Sequence, residues 1–225
     1  MEQPKFRHEL KYSINMADWL QLRSRLRLLA KPDENAGAEG SYTIRSLYFD
    51  NYADKAVTEK LAGVSRREKF RLRYYNGDIS FIKLEKKSKV KSLINKQAAG
   101  VSATQCAALL KGQTAFLLQS NQPLLCELYE KMQSQQLRPK IIVDYEREAY
   151  VYAPGNVRVT IDSNIRTSNH VNQFLNPGNV TMPAAAATIL EVKFDEFLPD
   201  IIRDIIQLKN RSSTEFSKYV VTRLV

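Results

Sequence analysis

The sequence predicts an α+β fold: a closed antiparallel β-barrel of about eight strands with helices packed outside. Three observations predict it. Alternating stretches recur along the 225 residues, each with charged side chains on one face and apolar ones on the other. The charged faces are mostly cationic, which disfavours leaving them side by side without an anion between them. Amphipathic helical segments lie between the stretches and supply cover for the apolar faces.

The elements follow in order. Residues 5–14, KFRHELKYSI, set Arg7, Glu9 and Lys11 on one face and His8, Leu10 and Tyr12 on the other, the period of a strand. Asn15, with Asp18 three residues on, reads as a helix cap. The helix MADWLQLRSRLRLLA then brings Trp19, Leu22, Leu26 and Leu29 to one face. KPDENAGAEG is a loop by its Pro, Gly, Asn and Asp content. SYTIRSLYFD, 41–50, is β-branched and aromatic, hence a strand. A short helix over 51–62 ends at Gly63. Strands at 66–75 and 79–88 are joined by NGD, a strong hairpin signal. Helices cover 102–111, capped by Ser102, and 123–136. RPKIIVDYEREAYVY, NVRVTIDS and TILEVKFDEF are three further strands, and Pro199 opens a helix at PDIIRDIIQL. The tail STEFSKYVVTRLV fits a helix or a strand. There is no internal repeat, low-complexity tract or long linker, so residues 1–225 form one domain.

The charged faces carry the chemistry. RREKFRLRYY, 66–75, aligns Arg67, Lys69, Arg71 and Arg73. Its hairpin partner aligns Phe81, Lys83, Glu85 and Lys87. Further on, Arg158 shares a face with Thr160 and Asp162, Glu191 with Lys193, and Arg147 with Val143 and Tyr145. Any one strand alone reads as a sheet with one solvated face. Together these faces carry eleven cations against four acids, Glu9, Glu85, Asp162 and Glu191, which holds most of the chain's +10 surplus. Turned inward, such a lining is strongly self-repelling unless it binds a multiply charged anion, for which Arg and Lys are the usual partners. The scattered acids fit either a divalent metal, which takes one or two carboxylates plus phosphate oxygens, or simple pairing with a neighbouring arginine. For Glu85 both readings stand.

Other classes fit poorly. Cys106 and Cys126 lie in helix-like stretches and read as small buried hydrophobes, with no zinc-ligand spacing of Cys and His. His8 and His170 are the only histidines, and His8 falls on the apolar face of the first strand. The start, MEQPKFRHELKY, lacks an apolar signal core, and no apolar run approaches the ~18 residues of a membrane span, so a cytoplasmic protein is expected. A narrow bore excludes duplex nucleic acid, and the aromatics form no exposed stacking platform.

The motifs RHELKY, YTIRSLYFD, KLAGVSRREKFRLRYY, FIKLEKKSK, ILEVKFDEFLP and EFSKY occur in this order. In that order the chain resembles the VTC domain, the polyphosphate polymerase domain of the vacuolar transporter chaperone family among the triphosphate tunnel metalloenzymes. The resemblance runs from Phe6 to about Tyr219. It implies an antiparallel tunnel that binds ATP or inorganic polyphosphate along its axis. It also implies transfer of the γ-phosphoryl of ATP onto a polyphosphate chain, with release of ADP and with Mn²⁺ or Mg²⁺. Carried over, it implies Lys11 as a phosphate ligand close to the reacting phosphoryl, and Arg71 and Arg73 as the pair holding the triphosphate. Glu191 would be the principal metal ligand with Lys193 beside it, and Lys218 the late lysine that reaches the chain. Arg45, Arg147 and Arg158 are further carry-overs. The other inward cations, Arg7, Lys69, Lys83 and Lys87, join the phosphate set, and Glu9 and Glu85 the metal set.

Two departures matter. Relatives often begin with an ExExK motif, whereas here Arg7 replaces the first acid, favouring a polymerase-like over a hydrolase-like site. FIKLEKK offers Lys83, Glu85 and Lys87 where some relatives show the acid first, so which of these contacts phosphate stays open. The phosphate-sensing and membrane domains of the eukaryotic complex have no counterpart here, so a membrane partner would be a separate chain. A triphosphatase of the same fold and a non-catalytic polyphosphate- or nucleotide-binding module are the alternatives.

Overall fold

Cap and turn residues set where each element begins and ends. The computed structural model describes residues 7–37, 39–91, 93–179, 181–185, 187–208, 213 and 216–224. Lys5 and Phe6 of the expected first strand, and Thr214, Glu215 and Val225 of the tail, lie outside the described residues. Strand β1 (His8–Ile14) stops at Asn15. There the Asn15 side chain accepts from the Asp18 backbone N–H at 2.8 Å, and the Asp18 carboxylate accepts from the Asn15 N–H at 3.0 Å. This reciprocal cap starts α1 (Met16–Leu29). A two-residue strand, β2 (Lys31–Pro32), precedes β3 (Ser41–Asp50), α2 (Lys55–Leu61), β4 (Arg66–Tyr75) and β5 (Asp78–Val90). Between β4 and β5, Asn76 and Gly77 both take positive φ, 50° and 72°, the requirement of a two-residue hairpin turn.

Strand β6 (Leu93–Val101) follows, then α3 (Ala103–Leu110), α4 (Ala115–Leu118) and α5 (Pro123–Ser134). The long β7 (Arg138–Tyr152) pairs with β8 (Val157–Ser168). The chain closes with β9 (Met182–Ala185), β10 (Thr188–Phe194), α6 (Asp200–Ile206) and α7 (Lys218–Arg223). The tail is therefore helical, while β2, β6, β9 and α4 are elements that periodicity did not reveal. Among the described residues no helix is long and apolar enough to cross a membrane.

The strands form one antiparallel sheet in the order β1-β10-β8-β7-β3-β4-β5-β6, with β2 added on β7 and β9 on β8. The expected closed barrel is not formed. The sheet curls until its edges approach, and Lys87 of β5 reaches Glu9 of β1 at 2.8 Å. Among the described residues the edge strands meet at an isolated bridge between Arg7 and Ile94, with N···O 3.4 Å. The cause is register. In the antiparallel sense set by that bridge, β1 runs past the start of β6, so the described residues form no ladder between the edges.

The apolar strand faces are covered as amphipathicity requires. Leu72 and Leu84 stand opposite each other on β4 and β5, both fully buried beneath α3, α4 and α5. Each contributes about 1.5–3 kcal/mol. Leu22 and Leu26 of α1 and Ile202 and Ile206 of α6 cover Val159, Ile161, Leu190 and Val192. On the concave side, at the edge of the charged lining, Tyr219 and Val220 of α7, with Ala56 and Val57 of α2, pack against Tyr48, Ile141 and Val143. At the β7–β8 turn, Gly155 has φ +69°, and a Cβ there would lie 2.6 Å from the Phe197 carbonyl oxygen. Only glycine fits where that chain passes.

Candidate functional site

Alternation on curled strands sends the charged faces to the concave side, where they enclose a cavity of about 920 Å³. Arg67, Lys69, Arg71 and Arg73 of β4 line it, with Lys83, Glu85 and Lys87 of β5. Arg7, Glu9 and Lys11 come from the β1 end, Glu191 and Lys193 from β10, Arg147 from β7, Arg158 from β8 and Lys218 from α7. Of the residues expected to bind phosphate or metal, only Arg45 is not brought here. Arg45 stands on the opposite face of β3 from Ser46 and Tyr48. Its Nε and Nη2 grip Asp144, each at 2.8 Å, and Nη1 donates to the Asn176 carbonyl at 2.5 Å. Period two alone places it there.

Two carboxylates and three lysines form one cluster on β1, β10 and β5. Lys11 stands opposite Glu191 and Glu9 opposite Lys193, so unlike charges alternate across the pair of strands. Lys11 Nζ lies 3.0 Å from Glu9 and 3.4 Å from Glu191. Lys87 donates to both Glu9 oxygens at 2.9 and 2.8 Å, and Lys193 pairs with Glu191. Burial and the neighbouring Glu191 push the Glu9 carboxyl up, but Lys11, Lys87 and Lys193 outweigh them and hold it at about 2. Glu191 is likewise held well below the carboxylate range, with burial opposed by Lys193, Lys11 and Lys87. Burial, then Lys11, draws the Lys87 ammonium down to about 7.

A second cluster surrounds Glu85. Arg71 Nε lies 2.8 Å and Nη2 2.7 Å from its Oε2, Arg73 lies 3.7 Å away, and Lys96 of β6 takes the other oxygen. These cations overcome burial and hold Glu85 far below its ordinary value. Arg73 also donates to Ser46 Oγ at 3.0 Å and to the Tyr145 hydroxyl at 2.8 Å. Tyr48 accepts from Arg71 at 3.1 Å. Burial raises its phenol, but Arg71 and Arg73 bring it down to about 8.

The third cluster joins the far side to the C-terminal helix. Asp162, fully buried, receives Arg147 through both oxygens at 2.6 and 2.8 Å and also takes Lys218. Burial would raise Asp162, but Arg147 and Lys218 hold it at about 2. The Tyr145 ring lies beneath Arg73, Arg147 and Lys218 at 5.8, 5.4 and 4.6 Å. Lys69 donates to Ser217 Oγ at 3.1 Å and Lys11 to the Phe216 carbonyl at 3.2 Å, so the segment before α7 borders the cavity. Arg158 contacts Tyr42 at 3.0 Å and Asp33 at 2.6 Å, and Arg7 contacts Asp195 at 2.8 Å.

Sequence reasoning missed Lys96, Tyr48, Tyr145 and the anchoring role of Asp162. Lys96 was hidden with its strand. Asp162 and Tyr145 were visible as members of inward faces. His8 stacks on Phe194 at 5.1 Å and, although it falls on the apolar face of the first strand by alternation, borders the cavity.

Among the described residues no three His, Cys, Asp or Glu side chains gather as a metal site. Glu9 and Glu191 do supply two hard oxygen donors in one place. That suits a hard divalent cation, which completes its shell with phosphate oxygens and water. Glu85 is already occupied by three cations and suits such an ion less well.

No curated protein matches the chain. Among solved structures, its fold is similar to that of a candidate adenylate cyclase from Bacillus halodurans, 13% identical, with TM-score 0.50, over 85% of this chain and 82% of that one. Two proteins of Pyrococcus horikoshii OT3, each 13% identical, cover 89% of this chain and 84% and 85% of their own, with TM-scores of 0.43 and 0.45. The family model for the VTC domain matches residues 6–225, a span that contains all six motifs. With its site on the concave face of the sheet, this chain belongs to the VTC domain family.

Proposed function

We propose that the chain is an ATP-dependent polyphosphate polymerase that transfers the γ-phosphoryl of ATP onto a polyphosphate chain and releases ADP. VTC domain membership supports a phosphate-handling enzyme. The observation that carries the finer reading is the cavity itself, whose lining cations outnumber the carboxylates among them. An extended polyanion is the ligand that relieves such a surplus along a length, not at a point.

Arg71 and Arg73, pre-oriented by Glu85, Ser46 and Tyr145, hold the triphosphate. Lys11 and Lys193, on the two strands that carry Glu9 and Glu191, face the phosphoryl being transferred. Arg147 and Lys218, both anchored on Asp162, hold the acceptor chain, with Arg7, Lys69, Lys83, Lys87 and Arg158 along its path. Glu9 and Glu191 would hold a divalent cation, Mn²⁺ or Mg²⁺, which when bound neutralises charge on the phosphate oxygens.

A terminal oxygen of the acceptor, anionic at neutral pH, forms a bond to the γ-phosphorus. The bond from that phosphorus to the β,γ-bridging oxygen breaks, and its electrons leave on ADP. No proton must move, so no general base is needed; positioning and charge neutralisation suffice.

The test is incubation with ATP and Mn²⁺, followed by a gel stained for polyphosphate. A ladder of acid-stable polymer is expected. Free phosphate without polymer would mean a triphosphatase, and ATP binding without turnover a binding module; either overturns the proposal.

A further inference from the structure

Three neighbouring strands put an aromatic side chain at one end of the cavity: Tyr42 on β3, Tyr75 on β4 and Phe81 on β5. On β4 and β5 the same inward faces then turn cationic. Tyr75 leads to Arg73 and Arg71, and Phe81 to Lys83. Arg73 stands opposite Lys83, so the two cationic rows begin level with each other, just inside the hairpin. Tyr42 is buried and meets the Tyr75 ring at 5.9 Å. Phe81 is 58% exposed, and Lys83 Nζ stands 4.6 Å from its ring centroid.

A lone exposed aromatic is ordinary on a protein surface. Phe81 differs in its place, because the cation over its ring is the first of a row that leads to Arg73 and Arg71. Along β4 and β5 the cavity thus has a polarity, flat, uncharged rings at one end and cations beyond, while Arg158 meets Tyr42 on β3. A nucleoside triphosphate has the same polarity. We infer that this end is a nucleobase subsite, in which Phe81 stacks on the base and Lys83 meets the first phosphate. The inference rests on the phosphate-binding reading of the cavity and adds the part that tells a nucleotide from a bare phosphate chain. A ring face accepts any base, so the discrimination is between nucleotide and inorganic polyphosphate, not among nucleotides.

The test uses the full chain and two variants, Phe81→Ala and Phe81→Trp, titrated with ATP and with inorganic tripolyphosphate. Phe81 belongs to none of the buried clusters, so Phe81→Ala leaves the fold intact. Phe81→Ala weakens ATP binding by about five- to tenfold, the scale of one lost base stack. Its tripolyphosphate affinity matches the wild type, and Phe81→Trp restores ATP binding. If both affinities move by the same factor, or neither moves, the base subsite is wrong while the phosphate-binding reading stands. If the wild-type chain binds neither ligand, both fall.

Discussion

Arg71 and Glu85 stand directly opposite each other on adjacent strands, with Nε 2.8 Å from Oε2, and Arg73 and Lys96 close on the same carboxylate. One buried anion therefore organises three of the cavity's cations. Removing it leaves those charges facing one another.

Glu85→Gln keeps the shape and deletes the charge. Breaking a buried pair from one side costs about 3 kcal/mol at the lower end of its range, which is the relevant end because the cavity admits water. That is a fall in Tm of roughly 6–12 °C for a chain of this size. Tripolyphosphate narrows the gap, because it returns negative charge to Arg71 and Arg73. Calorimetry with and without tripolyphosphate checks both effects, and an unchanged Tm would show that Glu85 is not the organising anion.

Much of this site is legible in the sequence because strands have a period of two. Arg67, Lys69, Arg71 and Arg73 share a face by counting, and so do Lys83, Glu85 and Lys87. Asn15, Ser102 and the Asn76–Gly77 pair mark boundaries through local hydrogen bonds and positive φ. Arg45, expected from the family resemblance alone, lies on the other face of β3 from Ser46 and Tyr48, bound to Asp144. What is illegible depends on partners distant in the chain. LINKQAAGV has small residues where an alternating pattern would show large ones, so β6 and Lys96 went unseen. Whether the sheet closes turns on how residue 7 meets residue 94, and no local pattern carries that register.

Lys11 lies between Glu9 and Glu191, 3.0 and 3.4 Å from them. Lys11→Met removes the cation that competes with a metal for those oxygens, while Lys87 and Lys193 still restrain them. The variant therefore binds Mn²⁺ more tightly than the wild type. Its polymer synthesis falls by about 10²–10³-fold, the usual loss when a preorganised charge donor is removed. Mn²⁺ titration beside a synthesis assay separates the effects. Weaker Mn²⁺ binding would remove Glu9 and Glu191 from the metal role, and undiminished synthesis would remove Lys11 from the site.

Gly155 and Gly40 both have positive φ, +69° and +77°, but only Gly155 faces backbone, with its would-be Cβ 2.6 Å from the Phe197 oxygen. Gly40→Ala meets nothing within 4 Å and bears only the dihedral cost, about 1 kcal/mol. Gly155→Ala must also displace residues 197–199, which raises its cost to at least about 2 kcal/mol. The Gly155 carbonyl accepts from the Asp195 N–H at 3.1 Å, and Asp195 pairs with Arg7, so the same change disturbs Arg7. Denaturant midpoints of the two variants compare the costs directly; equal shifts would show that the Phe197 contact relaxes freely.

Lys69 and Asp162 give the protein opposite pH limbs. Burial is the largest influence on Lys69 and draws its ammonium to about 8, below the ordinary 10.5. The unfolded chain keeps that proton up to about 10.5, so ligand-free stability rises with pH between about 8 and 10.5. Asp162 runs the other way. Its folded value of about 2 lies below the ordinary 3.8, so its contribution is full above 3.8 and is lost as pH falls through about 2. A polyanion needs Lys69 charged. Tripolyphosphate affinity therefore drops roughly tenfold, the worth of one charge-assisted hydrogen bond, as pH rises from 7 to 9. Lys69→Met binds more weakly at pH 7 and has a shallower slope; Lys87, drawn to about 7, and Tyr48, brought to about 8, titrate in the same range and keep part of it. Titrations across this range in both proteins decide the matter: an equally steep slope in Lys69→Met would place the titrating group elsewhere in the cavity.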